Sequence, residues 1–219
     1  MCGRYTLATT GQDLADEFGV SDLASWLPRY NIAPTQRVPV LVQTNGTSSA
    51  KQLHWGLVPA WSKDKKSGSK MINARAETVA EKPSFRNAFR IRRCLVITDG
   101  YYEWIKRGDA KQPYYITNES GQPFTFAGLW ESWVGDDTPA YESCSIITCP
   151  SNDDLVPLHT RMPVLISPSE RGAWLDDNNL KSALLGLLRP APNGIFHARP
   201  VSTFVNTPTH EGPNCTKAQ

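Results

Sequence analysis

The segment RCLVITDGYYEWIK, residues 93–106, carries the pattern that decides the fold class. Its two halves, RCLVIT and YYEWIK, are short runs rich in β-branched and aromatic residues, and the turn-forming pair Asp99-Gly100 separates them. Runs of this composition bounded by turn residues are typical of β-strands. The segment therefore predicts two strands, at 93–98 and at 101–106.

Similar runs recur along the chain and outnumber the helical patterns. Tyr5–Leu7 has the pattern of a short buried strand, and FHARPVS predicts a last strand at 196–202. The other predicted strands lie at 38–43, 51–58, 113–117, 124–133, 143–149 and 163–166. The predicted helices lie at 10–18, where Thr10 is the cap, and at 83–92, 168–175 and 179–188. Because few helices separate consecutive strands, the pattern predicts a mixed α+β chain built mainly from antiparallel sheet.

Composition argues against several function classes. With 219 residues and 40% hydrophobic content, the chain can bury the core of one domain. Its five cysteines include no CxxC pair, which argues against a disulfide framework and a zinc cage. No Gly-rich phosphate loop follows a strand, which argues against nucleotide-cofactor folds. The sequence shows no apolar run suited to a signal peptide or a membrane span, so we expect a cytoplasmic protein.

Basic charge is concentrated in one part of the chain. The whole sequence has 23 Lys or Arg and 21 Asp or Glu, a net charge of +2. Residues 62–93 hold ten of the basic residues and three of the acidic ones. Such a stretch can bind a polyanion, or it can simply solvate a loop and a helix face. Both interpretations stay open at this point.

The N-terminal residues MCGRY place a thiol directly after the first methionine. If Met1 is removed, Cys2 carries a free α-amine two carbons from its sulfur. Gly3 permits close approach of the backbone, Arg4 offers a fork that fits phosphate, and Tyr5–Leu7 would anchor the terminus as a strand. The alternative is an ordinary thiol on a disordered end. An anchored Cys2 is a candidate nucleophile.

Two titratable residues are candidates for proton transfer. Glu103 lies among aromatic and apolar residues in YYEWIK, and it can point outward to solvent or inward, where burial would raise its pKa. His159 precedes an apolar strand, with Arg161 on the same side if the chain is extended. A histidine that only hydrogen-bonds in a loop is the alternative. The other histidines show no ligand spacing, so no metal site is predicted.

Polar and aromatic motifs add candidates for ligand binding. In INARAET, residues 72–78, Asn73 and Arg75 share a side of an extended chain, which suits a sugar-phosphate ligand or a structural hydrogen-bond network. The loops YNIAP at 30–34 and WGLVPAW at 55–61 have the aromatic and proline content of base-stacking surfaces. Trp55 fits a core position better.

The order of these motifs is specific to one family. The chain resembles the SOS-response-associated peptidase (SRAP) family over residues 2–205. The motifs that carry the resemblance are MCGRY, YNIAPTQ, HWGLVPAW, INARAET, CLVITDGYYEW, QPYYI, AGLWE, SIIT and LHTRMPVLI. The resemblance implies a single domain over residues 1–219, with a barrel-like, mainly antiparallel sheet and a few peripheral helices. The Pro, Thr and Asn content of residues 206–219 predicts a flexible tail.

The resemblance also implies a function, a sensor of abasic sites in single-stranded DNA that attaches covalently to the lesion through its N-terminal cysteine. The residues implied to react are Cys2, Asn73, Glu103 and His159. The residues implied to contact or shape the DNA are Arg4, Asn31, Pro34, Trp61, Arg75, Trp104 and Arg161. The implied partner is damaged single-stranded DNA of any sequence, bound by a monomer that needs no cofactor, metal or membrane and acts at the nucleoid.

An N-terminal cysteine suits this chemistry because an abasic sugar opens to an aldehyde. The α-amine, with a reference pKa of about 7.7–8.0, can condense with the aldehyde, and the adjacent thiol can close a thiazolidine ring. One alternative is a cysteine peptidase or N-terminal-nucleophile hydrolase that uses Cys2, His159 and either Glu103 or Asn73. A second alternative is a noncovalent reader of single strands or modified bases.

Overall fold

Two β-sheets form most of the regular secondary structure in the computed structural model, which describes residues 2–44, 46–108, 110–135 and 139–219. The strands are β1 Tyr5–Leu7, β2 Arg29–Ile32, β3 Arg37–Thr44, β4 Thr47–Trp55, β5 Asn73–Arg75, β6 Arg93–Thr98, β7 Gly100–Arg107, β8 Ala110–Asn118, β9 Phe124–Trp133, β10 Tyr141–Pro150, β11 Arg161–Pro163, β12 Leu165–Ile166 and β13 Phe196–Pro200. The helices are α1 Gly11–Phe18, α2 Arg86–Ile91, α3 Arg171–Leu175 and α4 Lys181–Leu187, accompanied by short 3₁₀ turns. The predicted α+β class is confirmed.

The first sheet has the strand order β13-β8-β7-β1-β2, and all of its pairings are antiparallel. The second has the order β11-β10-β4-β3-β6-β9-β12, with β5 beside β10. In this sheet β10 also pairs with β9 and meets β4 in parallel over Ser143–His54 and Cys144–Trp55. The β10–β9 pairing links strands that lie apart in the order of the second sheet, whereas the first sheet is open from β13 to β2, so the two sheets do not form one true barrel.

The Asp99-Gly100 turn moves the chain from one sheet to the other. Before it, β6 pairs with β3 and β9 of the second sheet, and after it, β7 pairs with β1 and β8 of the first. The Asp99 carboxylate accepts hydrogen bonds from the backbone N–H of Ala8 at 2.5 Å and of Thr9 at 2.8 Å. A Cβ atom on Gly100 would lie 2.4 Å from the Tyr115 hydroxyl, so this crossing requires glycine. These contacts hold β1 beside β7.

Local sequence signals account for the ends of the first helix. The Thr10 hydroxyl accepts from the Asp13 N–H at 3.3 Å, and Gly19 ends the helix with a φ of 64°. The strands predicted at 93–98 and 124–133 are confirmed at those bounds. The strand predicted at 51–58 ends at Trp55, because Gly56 takes a φ of 131° against the backbone of Gly68.

The core lies between the sheets and connects the N-terminal strand to the INAR segment. Tyr5 and Trp55 are buried and meet edge to face, with ring centroids 5.2 Å apart. The Trp55 indole N–H donates to the carbonyl oxygen of Ile72 at 2.9 Å. Since Ile72 directly precedes β5, this contact sets the position of Asn73 relative to β1.

The segment predicted as a flexible tail, 206–219, packs against the rest of the fold. Cys215 is buried with Tyr102, Tyr115 and Val205 in a second apolar cluster. The N–H of Ser202 donates to the carbonyl oxygen of Lys217 at 2.9 Å. This segment therefore forms a wall beside β1 and β2.

Within the described ranges, every helix is too short or too polar to cross a bilayer.

Candidate functional site

Cys2 is held in the interior by the strands on both sides of the N-terminal segment. Tyr5 pairs with Ile32 of β2 and with Tyr101 of β7, and the Tyr102 N–H donates to the carbonyl oxygen of Arg4 at 3.0 Å. The Asn73 side-chain amide donates to the carbonyl oxygen of Cys2 at 2.7 Å. The structure thus joins two of the predicted catalytic residues. Met1 lies outside the described residues, so its removal stays a prediction.

The Cys2 thiol is fully buried, with 0% of the residue exposed. Burial raises the thiol pKa well above its ordinary value, and the negative charge of Glu103 raises it further. The sulfur lies 4.0 Å from the carbonyl oxygen of Arg4. At neutral pH the thiol is therefore protonated in this environment, and Glu103 is its electrostatic neighbour.

Glu103 points inward from β7, with 5% of the residue exposed. Tyr101 and Tyr102 are also buried, Tyr101 in the main core and Tyr102 in the second cluster, so this strand is covered on both faces. Burial raises the pKa of the Glu103 carboxyl, and the positive charge of His159 partly offsets that rise. A carboxyl with a raised pKa can take up and return protons closer to neutrality than an exposed one.

His159 is half-buried at the end of the turn that precedes β11. Its Nδ1 atom accepts from the backbone N–H of Arg161 at 2.9 Å, and the carbonyl oxygen of Arg161 lies 3.2 Å from the same atom. A neutral ring that accepts at Nδ1 carries its proton on Nε2. The Arg161 backbone thus orients the His159 ring, and the ring, when protonated, interacts electrostatically with Glu103.

The predicted DNA-contact residue Arg4 is half-buried and supported from two sides. Its Nη1 donates to Oδ1 of Asn31 at 2.6 Å and to the carbonyl oxygen of Val205 at 3.0 Å. Its guanidinium lies over the Trp104 ring, 5.7 Å from the centroid. The Trp104 indole N–H donates to Oδ1 of Asn206 at 2.7 Å. The C-terminal segment therefore orients both Arg4 and Trp104.

Asn31 is fully buried, and its side chain is engaged inside the protein. Its amide donates to the carbonyl oxygens of Val205, Thr207 and His210 at 3.3, 3.0 and 2.8 Å. The residues around it were predicted as a loop, but Arg29–Ile32 form β2, which pairs with β1. The structure places Asn31 as the support of Arg4.

Arg75 and Arg161 lie on β5 and β11, which both pair with β10. Arg75 ends β5 and is exposed, while Arg161 begins β11. The Arg161 guanidinium makes a two-pronged ion pair with the Glu77 carboxylate, at 2.9 and 3.0 Å. Sequence reasoning missed Glu77, although its position two residues after Arg75 in an extended motif was a usable signal. It also missed Asn206, for which the sequence holds no local signal.

Pro34 and Trp61 lie on surface loops, as their motifs predicted. Pro34 occupies a turn closed by the Gln36 N–H, which donates to the carbonyl oxygen of Ala33 at 3.3 Å. The next residue, Thr35, has a φ of 73°, which is rare for a β-branched residue. Trp61 is 64% exposed, with its indole N–H 3.4 Å from the carbonyl oxygen of Pro83. Trp61 therefore offers an open aromatic surface.

Among the residues that the structure describes, the His, Cys, Asp and Glu side chains form no cluster of three or more suited to a metal ion.

Comparisons with known proteins show the family to which this sequence is similar. The family model described as SOS response associated peptidase (SRAP) matches residues 1–208. The chain is 39% identical to the abasic site processing protein YoqW of Bacillus subtilis over 220 residues, which cover 97% of each chain. It is 33% identical to the abasic site processing protein HMCES of Gallus gallus, over 98% of this chain and 77% of that protein.

The fold itself has a close match among solved structures. A crystal structure of a protein from Bacteroides thetaiotaomicron superposes with a TM-score of 0.89 at 26% identity, with full coverage of both chains. The sequence match and the structural match therefore cover the same region, including β1, β5, β7 and β11, which carry or adjoin the candidate site. The chain belongs to the SOS response associated peptidase (SRAP) family.

Proposed function

We propose that this protein processes abasic sites in single-stranded DNA by attaching itself covalently to the open sugar through Cys2, after removal of Met1. The names of the relatives support the abasic site as the target, since they are called abasic site processing proteins. The observation on which the proposal rests is the anchoring of Cys2 by the Asn73 amide at 2.7 Å, beside the buried carboxyl of Glu103. An N-terminal residue held in this way can present its amine in a fixed geometry.

The covalent step joins one aldehyde to one N-terminal cysteine with loss of one water. The α-amine nitrogen of Cys2 adds to the C1′ aldehyde carbon, and the resulting carbinolamine expels water to give a Schiff base. The Cys2 sulfur then adds to the same carbon of the protonated Schiff base and gives up its proton, which leaves a neutral N–H and closes a five-membered thiazolidine. Ring closure removes the iminium that would otherwise promote β-elimination and strand cleavage.

The environment of Cys2 favours attack by the amine before the thiol. Burial raises the thiol pKa, so thiolate is scarce at neutral pH. The α-amine has a reference pKa of about 7.7–8.0 and supplies a neutral fraction near pH 7. The thiol adds only after the Schiff base holds the carbon next to it, when proximity compensates for weak ionisation.

Proton transfer in these steps is assigned to Glu103 and His159. The raised pKa of Glu103 lets it protonate the departing hydroxyl and then accept the thiol proton. His159, with its proton on Nε2, can donate to the ring oxygen as the closed sugar opens. Once His159 is protonated, its positive charge and the negative charge of ionised Glu103 stabilise each other.

Binding of the strand is assigned to arginines that contact phosphates. Arg4, Arg75 and Arg161 are placed by β1, β5 and β11, the same strands that hold or adjoin the reacting groups. Phosphate contacts position a strand without reading its bases, so binding is independent of sequence and weakens with salt. Pro34 and Trp61 supply apolar surfaces against which bases can stack. The protein acts as a monomer at the nucleoid.

The environment of the thiol argues against the peptidase alternative. Cysteine peptidases use a thiolate of lowered pKa in a partly exposed position. Here the thiol is fully buried, and both its burial and the charge of Glu103 oppose ionisation. Peptide turnover by a Cys2 thiolate is therefore disfavoured relative to attack by the α-amine.

The test is mass spectrometry of the purified protein incubated with an abasic single-stranded oligonucleotide. We expect an adduct that survives denaturation, has lost one water and maps to Cys2 with Met1 absent. Undamaged DNA and Cys2→Ala should give none. Cys2→Ser should form an adduct that hydrolyses faster, because the hydroxyl closes the ring poorly. Retention of Met1 in the adducted protein would refute the proposal.

A further inference from the structure

The ion pair between Glu77 and Arg161 occupies the part of the guanidinium that a phosphate would use. Oε1 of Glu77 accepts from Nη1 at 2.9 Å and Oε2 accepts from Nη2 at 3.0 Å. This parallel, two-pronged arrangement is also the preferred geometry for an arginine with a phosphate. A carboxylate of the protein itself therefore binds the two guanidinium nitrogens that a phosphodiester would need.

The rest of the guanidinium is held by Thr148 of β10. Nε donates to the Thr148 hydroxyl at 3.3 Å, and Nη2 donates to the Thr148 carbonyl oxygen at 2.5 Å. Within the part of the chain that the structure describes, four of the five N–H groups of Arg161 are thus engaged, and one on Nη1 remains. A phosphate cannot bind with two prongs until Glu77 leaves, whereas the Thr148 contacts can stay.

The two partners differ in their freedom to move. The Glu77 side chain is 46% exposed and the Arg161 side chain is 15% exposed. Glu77 can therefore turn into solvent while Arg161 stays in place. Arg75, two residues before Glu77, is also close enough for its charge to lower the Glu77 pKa, after the larger effect of the hydrogen bond from Arg161. One carboxylate thus interacts with two of the three arginines assigned to the DNA strand.

We propose that Glu77 is a specificity-determining residue that competes with DNA phosphate for Arg161 and so holds down the affinity of the protein for undamaged single strands. This inference rests on the proposed function for the identity of the ligand as DNA. Undamaged DNA must displace Glu77 with binding energy alone. At an abasic site, covalent capture by Cys2 makes the displacement permanent.

The experiment measures noncovalent binding to an undamaged single-stranded oligonucleotide over a series of salt concentrations. Glu77→Gln removes the competing charge, and we expect about three- to tenfold tighter binding and a log–log salt slope steeper by about 0.7, which corresponds to one more phosphate contact. The matched control is Glu81→Gln, because Glu81 is an exposed acid in the same basic segment and its side chain makes no contact with Arg161. It should change affinity by less than about twofold.

A second pair of variants separates competition from a general charge effect. In an Arg161→Ala background, Glu77→Gln should tighten binding no more than Glu81→Gln does. Equal effects of Glu77→Gln with and without Arg161 would overturn the inference, as would weaker binding by a Glu77→Gln protein that melts at the normal temperature.

The outcomes for this inference are independent of those for the covalent reaction. If the unsubstituted protein formed no crosslink with abasic DNA, the proposed function would be refuted. Tighter binding of undamaged DNA by Glu77→Gln would still support competition. Normal crosslinking with unchanged binding by Glu77→Gln would refute only the competition.

Discussion

The side-chain amide of Asn73 donates a hydrogen bond to the carbonyl oxygen of Cys2 over 2.7 Å. This contact joins β5 to Cys2, which lies 71 positions earlier in the chain. The Asn73 Oδ1 atom is buried and accepts no hydrogen bond from the residues that the structure describes. Asn73 therefore holds Cys2 with its amide nitrogen and keeps its Oδ1 as a hydrogen-bond acceptor close by.

Asn73→Ala should slow covalent attachment to abasic DNA by about fivefold, because loss of one positioning hydrogen bond costs about 1 kcal/mol. Asn73→Asp should be at least as slow, since a carboxylate cannot donate to the Cys2 carbonyl. The measurement is single-turnover crosslinking, followed on denaturing gels. A full rate in Asn73→Asp would show that the donated hydrogen bond has no role in the reaction.

Glu103→Gln should make the protein more stable at pH 7.5 and leave its stability unchanged near pH 4. Burial raises the Glu103 pKa in the folded state, so the folded protein binds this proton more tightly than the unfolded chain does. The native carboxyl therefore costs increasing stability as pH rises from the ordinary glutamate pKa, about 4.3, through the raised value. Glutamine removes this cost. Thermal melts at pH 4, 5.5 and 7.5 measure the difference.

The same Glu103→Gln variant should crosslink more slowly at neutral pH, because the amide cannot exchange protons. A variant that is both more stable and slower would assign Glu103 to function rather than to folding. If the stability gain were the same at all three pH values, the Glu103 carboxyl would have the same pKa in the folded and the unfolded protein. The inferred rise of its pKa on folding would then be wrong.

Asn206→Ala should weaken noncovalent DNA binding by about three- to tenfold with little loss of stability. The Asn206 side chain is exposed and accepts from the Trp104 indole at 2.7 Å, so its removal frees the ring that supports Arg4. Asn178→Ala is the control, because its side chain bonds to Asp176 in a turn after α3. Fluorescence anisotropy with a labelled single strand measures both. Equal DNA affinities of the two variants would show that the C-terminal segment does not contribute to DNA binding.

Thr35→Asn should raise the free energy of unfolding by about 1 kcal/mol. The φ of 73° at Thr35 disfavours a β-branched side chain by about 1–2 kcal/mol, whereas asparagine tolerates this region. The melting temperature should rise by about 2–4 °C for a chain of this size. Thr35→Val keeps the branched shape and should gain nothing. A gain in both variants would trace the effect to loss of the hydroxyl.

Several features of the fold could be predicted from the sequence because they depend on neighbouring residues. The strands at 93–98 and 124–133 and the helix capped by Thr10 follow from local composition, periodicity and capping. Trp55 was predicted in the core because large aromatic residues among apolar neighbours are usually buried. Cys2, Glu103 and His159 were candidates from residue type and local sequence, and the family resemblance implied that they react together.

The direction of Glu103 could not be predicted, because alternation along a strand shows which side chains share a face but not which face is covered. Asn31 was placed in a loop motif, yet it lies on β2 and supports Arg4 from the interior. Both outcomes depend on the C-terminal segment and on strand neighbours distant in sequence. Pairing of distant segments depends on the whole fold rather than on local propensity.

The Asp99-Gly100 turn separates what the local sequence determines from what the tertiary structure decides. By itself the sequence determined that two strands flank this turn, because their composition favours extended chain and the turn residues interrupt it. Only the tertiary structure decided that these strands belong to different sheets, since that depends on β1 pairing with β7 and β9 with β6. The crossing brings Glu103 to Cys2, because β7 must leave the second sheet to lie beside the N-terminal strand.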